Sequence, residues 1–178
     1  MRIALVALIG TAALGLTACE QKGLETGAPM AGGSSANAVL MTATGAAVGR
    51  ATATEVAGGI RFTVDAKAMP AGTHGVHVHT TGRCDAPDFV TAGGHWNPTA
   101  MKHGTMNPQG PHEGDLPNLI IGTDGRGTVG VTIAGATMAG LLDADGAAFI
   151  VHAGPDDMMT DPSGNSGGRI ACGVYPPA

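Results

Sequence analysis

Ile60-Arg61-Phe62-Thr63-Val64-Asp65 alternates apolar and polar side chains without interruption. Alternation with a period of two is typical of an antiparallel β-strand that packs one face on a core and exposes the other to water. Other short apolar runs follow along the chain, separated by turn pairs such as Gly58-Gly59, Asp124-Gly125 and Asp145-Gly146. The pattern therefore predicts an all-β domain of hairpin-connected strands.

The candidate strands are short and are distributed over most of the chain. They cover residues 39–42, 47–51, 55–56, 60–64, 76–80, 119–121, 128–133, 148–152 and 170–175. Aromatic residues make up only 3% of the sequence, so the core must consist mostly of Val, Ile, Leu, Met and Ala. These runs predict where the strands lie, but the sequence pattern alone leaves their topology open.

The N-terminal residues have the features of a secretory signal. Met1-Arg2 gives a positive start, residues 3–16 are apolar, and Leu16-Thr17-Ala18-Cys19 is similar to a bacterial lipobox. The apolar run is shorter than the ~20 residues that a membrane-crossing helix needs. We therefore predict a lipoprotein signal peptide over residues 1–18, with cleavage before a lipidated Cys19. A doubly lipidated cysteine would anchor the mature chain to a membrane of the bacterial cell envelope, on its periplasmic face.

The remaining chain divides into a tether and one domain. Residues 19–37 begin with the lipidated cysteine and are small, polar and rich in Gly and Ser, which predicts a flexible tether. Residues 38–178 are sufficient for a single domain with its own core. Loss of Arg2 with the signal peptide changes the net charge from −5 to −6. An acidic chain without lysine clusters argues against binding to nucleic acid.

Histidine is the residue whose placement indicates chemistry. All seven histidines lie in one half of the chain, and His77-Val78-His79 places two imidazoles on one face of a predicted strand. His152 ends another apolar run, Ala147-Ala148-Phe149-Ile150-Val151. Neutral imidazole is a good ligand for copper and zinc, so these strand ends predict a metal site.

A loop rich in Gly and Pro supplies a second set of candidate ligands. It contains His95, His103, His112 and Asp115. Three imidazoles and one carboxylate form an ordinary closed tetrahedral zinc site. Because a deprotonated imidazole can bind a metal through each ring nitrogen, His95 can belong to both sites. The alternative is that these are separate surface or core histidines, which is the better default for any one of them taken alone.

The candidate ligands lie in six longer segments: Gly75-Val76-His77-Val78-His79, Gly94-His95-Trp96-Asn97-Pro98, Lys102-His103-Gly104, His112-Glu113-Gly114-Asp115-Leu116, Val151-His152 and, with an arginine in place of a ligand, Gly168-Arg169-Ile170-Ala171-Cys172-Gly173-Val174. Together these segments make the chain similar to the copper/zinc superoxide dismutases, from about Ala38 to the C-terminus. The resemblance implies an eight-stranded antiparallel Greek-key barrel or sandwich with long metal-binding and channel loops. It also implies one copper and one zinc per chain, with superoxide as the substrate.

The resemblance also implies a role for each site residue. The copper ligands would be His77, His79, His95 and His152, and the zinc ligands His95, His103, His112 and Asp115. His95 would leave copper and take a proton during the redox cycle, while zinc would have a structural role. Arg169 resembles the family's anion-guiding arginine, and Asp156 resembles the carboxylate that links His77 and His103 through their free nitrogens. Lys102 is a further positive candidate at the channel mouth, opposed by Asp157 and Asp161.

Two cysteines remain once Cys19 is assigned to lipid. Cysteine pairs in secreted domains are usually bonded, although Cys84 and Cys172 could also be two unrelated buried thiols. The resemblance implies a disulfide between them that joins the metal loop to the last strand, close to Arg169.

The resemblance as a whole implies an enzyme that converts superoxide to oxygen and hydrogen peroxide. A copper-binding or zinc-binding module that buffers metal without turnover is the alternative. Loss of the bridging histidine or of the arginine would favour that module, and the sequence retains both. A homodimer is a further expectation, but the sequence does not indicate which surface would form it.

Overall fold

Nine β-strands and two single helical turns are found in residues 33–178, the part of the chain that this computed structural model describes. The strands are β1 Ser35–Met41, β2 Ala47–Val56, β3 Gly59–Ala66, β4 Gly72–His74, β5 Val76–His79, β6 Leu119–Ile121, β7 Gly127–Ala134, β8 Ala147–His152 and β9 Arg169–Tyr175. A 3₁₀ turn covers Val90–Ala92, and helix α1 covers Met138–Leu141. Neither helical turn of residues 33–178 has the length and hydropathy of a membrane-spanning segment. The predicted signal peptide, Cys19 and most of the predicted tether lie outside the described residues.

Seven of the strands form one curled antiparallel sheet in the order β5-β8-β9-β1-β2-β3-β7, and β4 pairs with β6 in a small second sheet. The prediction of an all-β antiparallel barrel is therefore confirmed, with nine strands in place of eight. The additional strand is β4, which is separated from β5 only by Gly75. Its three residues are too few to show the alternation from which the other strands were predicted.

Two further details differ from the sequence prediction. β2 runs without a break through residues 47–56, although the pattern predicted two separate pieces. Ala51-Thr52-Ala53-Thr54 has little contrast in hydropathy, yet it pairs with β1 on one side and β3 on the other. β1 begins at Ser35, four residues before the strand predicted over residues 39–42, because Ser35, Ala36 and Asn37 already pair with β2.

One core lies between the two halves of the curled sheet. Phe62 and Val64 of β3 and Val76 and Val78 of β5 belong to the same buried cluster, which also contains the side chain of Phe149. Since neighbouring side chains of a strand point to opposite faces, the residues between these apolar ones face outward. The outer faces of β3 and β5 therefore lie on opposite sides of the barrel.

Tyr175, at the end of β9, is fully buried in this core. Within the described residues its hydroxyl has no hydrogen-bond partner, and burial raises the pKa of the phenol. An unpaired buried hydroxyl is unfavourable, so Tyr175→Phe should raise the free energy of unfolding by about 1 kcal/mol. Thermal melting of the two proteins would measure this effect. A lower Tm for the variant would mean that the hydroxyl has a partner in solution.

Candidate metal centre

β5 sets the position of the first two histidines. Val76 and Val78 alternate with His77 and His79, so packing of the two valines in the core turns both imidazoles to the outer face. β8 pairs with β5 and ends at His152, which places a third imidazole beside them. This arrangement follows from strand pairing alone.

The loop between β5 and β6 folds back along the free edge of β5. Backbone pairing places His95 opposite His79 and Asp115 opposite His77. Gly114 allows this close approach, because a Cβ on it would lie 2.3 Å from the carbonyl oxygen of Val78. Residues far apart in sequence thereby reach one side of the barrel.

Four imidazole nitrogens converge on a single point. One ring nitrogen from each of His77, His79, His95 and His152 lies within 4.8 Å of the other three. These histidines are also the ones that have a buried ring nitrogen without a hydrogen-bond partner among residues 33–178, namely Nδ1 of His77 and Nε2 of the other three. Buried polar atoms are normally paired, so four unpaired nitrogens facing one point fit a metal ion bound by imidazole.

The other nitrogen of each ring is held in place. His79 Nδ1 donates to the carbonyl oxygen of Gly93 at 2.9 Å, and His152 Nδ1 donates to that of Gly167 at 3.0 Å. His77 Nε2 donates to Asp156 at 2.7 Å. Such contacts fix which nitrogen is free and in which direction it points.

A second set of ligand atoms surrounds Asp115. Its Oδ1 lies 2.8 Å from His95 Nδ1, 3.0 Å from His103 Nδ1 and 3.2 Å from His112 Nδ1. Its Oδ2 accepts hydrogen bonds from the backbone N–H groups of Gly104 and His112, which orient the carboxylate. Three imidazoles and one carboxylate fit the closed coordination preferred by structural zinc. His95 faces both sets, with Nε2 in the first and Nδ1 in the second.

His77 also lies close enough to this second set to be considered in place of His112. We favour His112, because its Nδ1 lies within 3.3 Å of both His95 Nδ1 and Asp115 Oδ1. Both nitrogens of His77 are accounted for already, one by the first set and the other by Asp156.

Asp156 connects the two sets of ligands. Its carboxylate accepts from His77 Nε2 at 2.7 Å and from His103 Nε2 at 3.0 Å. Asn118 fixes the backbone of Asp156 through two reciprocal hydrogen bonds of 2.9 Å each. Gly164 passes so close that a Cβ on it would collide with the carboxylate. Movement of either set would therefore be transmitted to the other through one rigidly held side chain.

Burial controls the protonation of these groups. It lowers the pKa of His77 to about 3 and that of His152 to about 4, so both rings are neutral at pH 7 and can donate a lone pair. Burial also opposes the charged form of His103, but hydrogen bonds to Asp115 and Asp156 outweigh it and raise the pKa to about 9. Without metal, His103 therefore carries a proton between two carboxylates, and metal binding must release it.

A cavity of about 240 Å³ gives access to the first set of nitrogens. It is lined by His79, Gly94, His95, His152, Pro162, Ser163, Gly167 and Arg169. The guanidinium of Arg169 donates to the carbonyl oxygens of Phe89 at 2.6 Å and Gly93 at 2.7 Å. A fixed cation thus stands beside the candidate copper ligands.

The disulfide between Cys84 and Cys172 is present, with a Cα–Cα distance of 5.7 Å. It joins the loop after β5 to β9, and Phe89 packs with Cys172 in a small apolar cluster. The carbonyl oxygens that hold Arg169 belong to this same loop. The cross-link therefore secures the segment that orients the guanidinium.

Comparison with known proteins agrees with this geometry. Residues 47–175 match the family described as copper/zinc superoxide dismutase. The chain belongs to this family. The superoxide dismutase [Cu-Zn] 2 of Aquifex aeolicus is 40% identical over 78% of this chain and 85% of its own length. The superoxide dismutase [Cu-Zn] of Caulobacter vibrioides is also 40% identical, over 79% of this chain and 84% of its own.

Solved structures show the same fold. The Cu/Zn superoxide dismutase from Brucella abortus superimposes with a TM-score of 0.65 at 30% identity, covering 80% of this chain and 99% of that one. A superoxide dismutase-like protein from Bacillus subtilis gives a TM-score of 0.74 at 39% identity, covering 78% and 97%. Proteins of the copper/zinc superoxide dismutase family use copper and zinc, for which the two ligand sets described here are suited.

Other positions singled out in the sequence have structural partners. Lys102, predicted to lie at the channel mouth, forms an ion pair with Asp161 at 2.9 Å, so its charge is partly neutralised. His74, which belongs to neither ligand set, contacts the carbonyl oxygens of His152 and Pro70 at 2.8 and 2.9 Å. It ties the end of β8 to the segment before β4.

Sequence reasoning missed the groups that orient the ligand side chains without being ligands themselves. Gly93 and Gly167 act through backbone carbonyl oxygens, and Asn118 acts on the backbone of Asp156. A carbonyl oxygen is present in every residue, so no residue type marks it. Asn118 lies 38 positions from Asp156, and only the folded chain brings them together.

Proposed function

We propose that the protein is a copper/zinc superoxide dismutase that converts superoxide to oxygen and hydrogen peroxide. The observation that carries this proposal is the convergence of four unpaired imidazole nitrogens beside a cavity that also contains Arg169. His77, His79, His95 and His152 would hold copper, and His95, His103, His112 and Asp115 would hold zinc. Bound copper supplies one-electron exchange with superoxide, and bound zinc supplies fixed positive charge and structural support.

The protein's own residues bind and orient the substrate. Superoxide is a small anion, and the permanent charge of Arg169 attracts it into the cavity beside the imidazoles of His79, His95 and His152. The two carbonyl oxygens that accept from Arg169 prevent its guanidinium from swinging out to solvent.

His95 is placed to supply a proton. Formation of hydrogen peroxide from a reduced superoxide consumes two protons, and the buried Nε2 of His95 can hold one of them beside the cavity. Burial lowers the pKa of His95, although its hydrogen bond to Asp115 opposes the shift. A lowered pKa leaves the metal-free ring neutral at pH 7, so its nitrogens are available as metal ligands or as proton acceptors.

Metal analysis combined with a superoxide-decay assay tests the proposal. Purified protein supplied with both metals should contain one copper and one zinc per chain, show visible absorption from Cu(II), and accelerate superoxide decay. Zinc in both sites, with no turnover even after copper is added, would instead assign the protein to the metal-buffering class.

Arg169→Ile should lower the rate of superoxide decay by about tenfold or more. Charged clefts raise the association rates of anionic substrates by roughly 10- to 1000-fold, a range known generally and for this family itself. Both metals should stay bound, because within residues 33–178 the guanidinium hydrogen-bonds to the carbonyl oxygens of Phe89 and Gly93 and to no candidate ligand. Stopped-flow decay rates and metal content would be measured for both proteins.

The salt dependence separates guidance from other effects of Arg169. The screening length is ~8 Å at physiological ionic strength, so charges at the channel mouth dominate over the net charge. The wild-type rate should fall as salt is added, but only moderately, because Lys102 is paired with Asp161. The Arg169→Ile rate should change less with salt. An unchanged rate and an unchanged slope would show that Arg169 does not guide the substrate.

We further propose that the mature protein is a lipoprotein of the bacterial cell envelope, anchored through Cys19 and facing the periplasm. The lipobox-like segment Leu16-Thr17-Ala18-Cys19 supports this location. Cys19→Ala should prevent lipid attachment and move the protein out of the detergent phase in a Triton X-114 partition. An unchanged partition would contradict anchoring at Cys19.

Formation of a homodimer stays a prediction, which sedimentation velocity of the metal-loaded protein would test.

A further inference from the structure

The cations of the described chain are concentrated on one side of the barrel. Residues 33–178 contain seven Lys and Arg residues, and four of them lie on or beside the outer face of β2, β3 and β7. We call these four exposed residues, Arg50, Arg61, Lys67 and Arg126, the cationic face. Two of the twelve side-chain carboxylates of residues 33–178 lie among them: Asp65 lines both hollows described below, and Asp124 accepts a hydrogen bond from the backbone N–H of Arg126.

Two adjoining hollows show that these side chains share one surface. Arg50 and Arg61 line a hollow of about 370 Å³, together with Thr52, Thr63 and Thr128. Arg50 also lines the neighbouring hollow of about 410 Å³, together with Lys67 and Arg126. The four cations therefore form a continuous patch across three strands.

Asp65 faces Arg50 across β2 and β3 and lines both hollows, so it offsets part of the positive charge, but within the described chain none of the four cations is held in a close ion pair. None of these four cations lies within 4.0 Å of a carboxylate oxygen of residues 33–178, so none forms an ion pair there. By contrast, Arg83 and Lys102, which lie elsewhere on the surface, are both paired. The cationic face is thus a positive surface on a protein whose net charge is negative.

The cationic face lies on the side of the barrel opposite the metal centre. Phe62 and Val64 of β3 pack in the same core as Val76 and Val78 of β5. The alternating residues of the two strands, Arg61 on β3 and the two histidines on β5, therefore point outward in opposite directions. A flat partner bound to the cationic face would leave the cavity beside Arg169 open to solvent.

We propose that the cationic face docks the enzyme on an anionic lipid bilayer. The inference rests in part on the anchoring proposed above, since only thirteen residues separate Cys19 from Gly33 and they span at most about 50 Å. An anchored domain thus stays within reach of the lipid headgroups, and tethering makes even a weak contact effective. Anionic headgroups attract cations close to the surface, which suits a patch of four unpaired cations. Docking would hold the catalytic cavity away from the membrane.

Competitive lysine acetylation tests this orientation, because the chain has a lysine on each side. Lys67 belongs to the cationic face, and Lys102 lies in the loop between β5 and β6 that carries the candidate zinc ligands. The full chain, loaded with metals, would be labelled with an N-hydroxysuccinimide ester on vesicles of phosphatidylcholine alone and on vesicles containing phosphatidylglycerol. On the anionic vesicles the ratio of Lys67 to Lys102 labelling should fall several-fold, and added salt should restore it. An equal ratio on both vesicles, or protection of Lys102 in place of Lys67, would overturn the proposal.

Two variants provide the matched comparison. Arg50→Gln combined with Arg61→Gln should abolish the protection of Lys67, whereas Arg83→Gln combined with Arg169→Gln, which removes the same number of charges elsewhere, should retain it. Loss of protection in both pairs would attribute it to net charge and overturn docking through this face. Equal protection by soluble heparin without vesicles would assign the cationic face to soluble polyanions and likewise contradict docking on a bilayer.

Repeating the labelling with Cys19→Ser separates docking from anchoring. The mass of the purified chain reports whether Cys19 carries lipid, independently of the labelling ratio. Protection of Lys67 on anionic vesicles in a chain found to lack lipid would support docking even though anchoring had failed. A lipidated chain without this protection would retain the anchor and refute the docking.

Discussion

Replacement of His152 by Ala should remove copper from the protein and reduce superoxide decay to the uncatalysed rate, while zinc stays bound. His152 Nε2 is one of the four unpaired nitrogens of the first ligand set, and His152 makes no contact with Asp115 or with the ligands around it other than His95. Loss of groups that merely orient metal ligands already costs 10- to 100-fold in affinity or activity. Loss of a ligand should therefore lower copper affinity by more than about 100-fold.

Asp115→Ala is the matched comparison for the second ligand set. Asp115 contacts His95, His103 and His112 at once, so its removal should release zinc first. Metal content by mass spectrometry, together with the decay rate, would be measured for both variants. Loss of zinc from His152→Ala, or of copper alone from Asp115→Ala, would show that the two sites have been assigned in reverse.

The strands that could be predicted were those in which burial imposes a strong contrast between neighbouring residues. In β3, Phe62 and Val64 alternate with Arg61, Thr63 and Asp65, and the strand was predicted over residues 60–64 of the observed Gly59–Ala66. β2 was divided because Ala and Thr differ little in hydropathy. Its continuity comes from pairing on both sides, which depends on strands distant in sequence.

The ligand residues could be predicted because the chemistry requires particular side chains. His77 and His79 stand two positions apart on a strand, and imidazole is rarely clustered without a reason. The supports of these ligands could not be predicted in the same way. Gly93 and Gly167 contribute carbonyl oxygens whose direction depends on the path of the loop, and that path is fixed only by the folded barrel.

The position of Arg169 depends on a chain of such supports. Its guanidinium is held by Phe89 and Gly93, and the loop that contains them is fastened to β9 by the disulfide. Arg169 lies three positions before Cys172 on β9. The disulfide therefore stabilises the domain and also helps to orient the guanidinium of Arg169.

Cys84→Ser should consequently destabilise the domain strongly and slow turnover. The bond closes a loop with a sequence separation of 88 residues, which is worth about 4 to 5 kcal/mol in the chain-entropy model. For a domain of this size the Tm should fall by roughly 10 to 15 °C. Well below that Tm the variant should still bind both metals, because neither cysteine contacts a ligand, but its decay rate should be lower since the loop around Phe89 is no longer fastened.

The double variant Cys84→Ser/Cys172→Ser isolates the effect of the cross-link from that of a free thiol. It should melt close to the single variant, and wild-type protein reduced with dithiothreitol should do the same. Its turnover should also lose part of its dependence on salt, because a mobile loop no longer holds Arg169 at the cavity. A drop in Tm without any change in rate or salt slope would limit the disulfide to a role in stability. Such a result would mean that packing of Phe89 against Ala148 and Ile150 is enough to hold the loop.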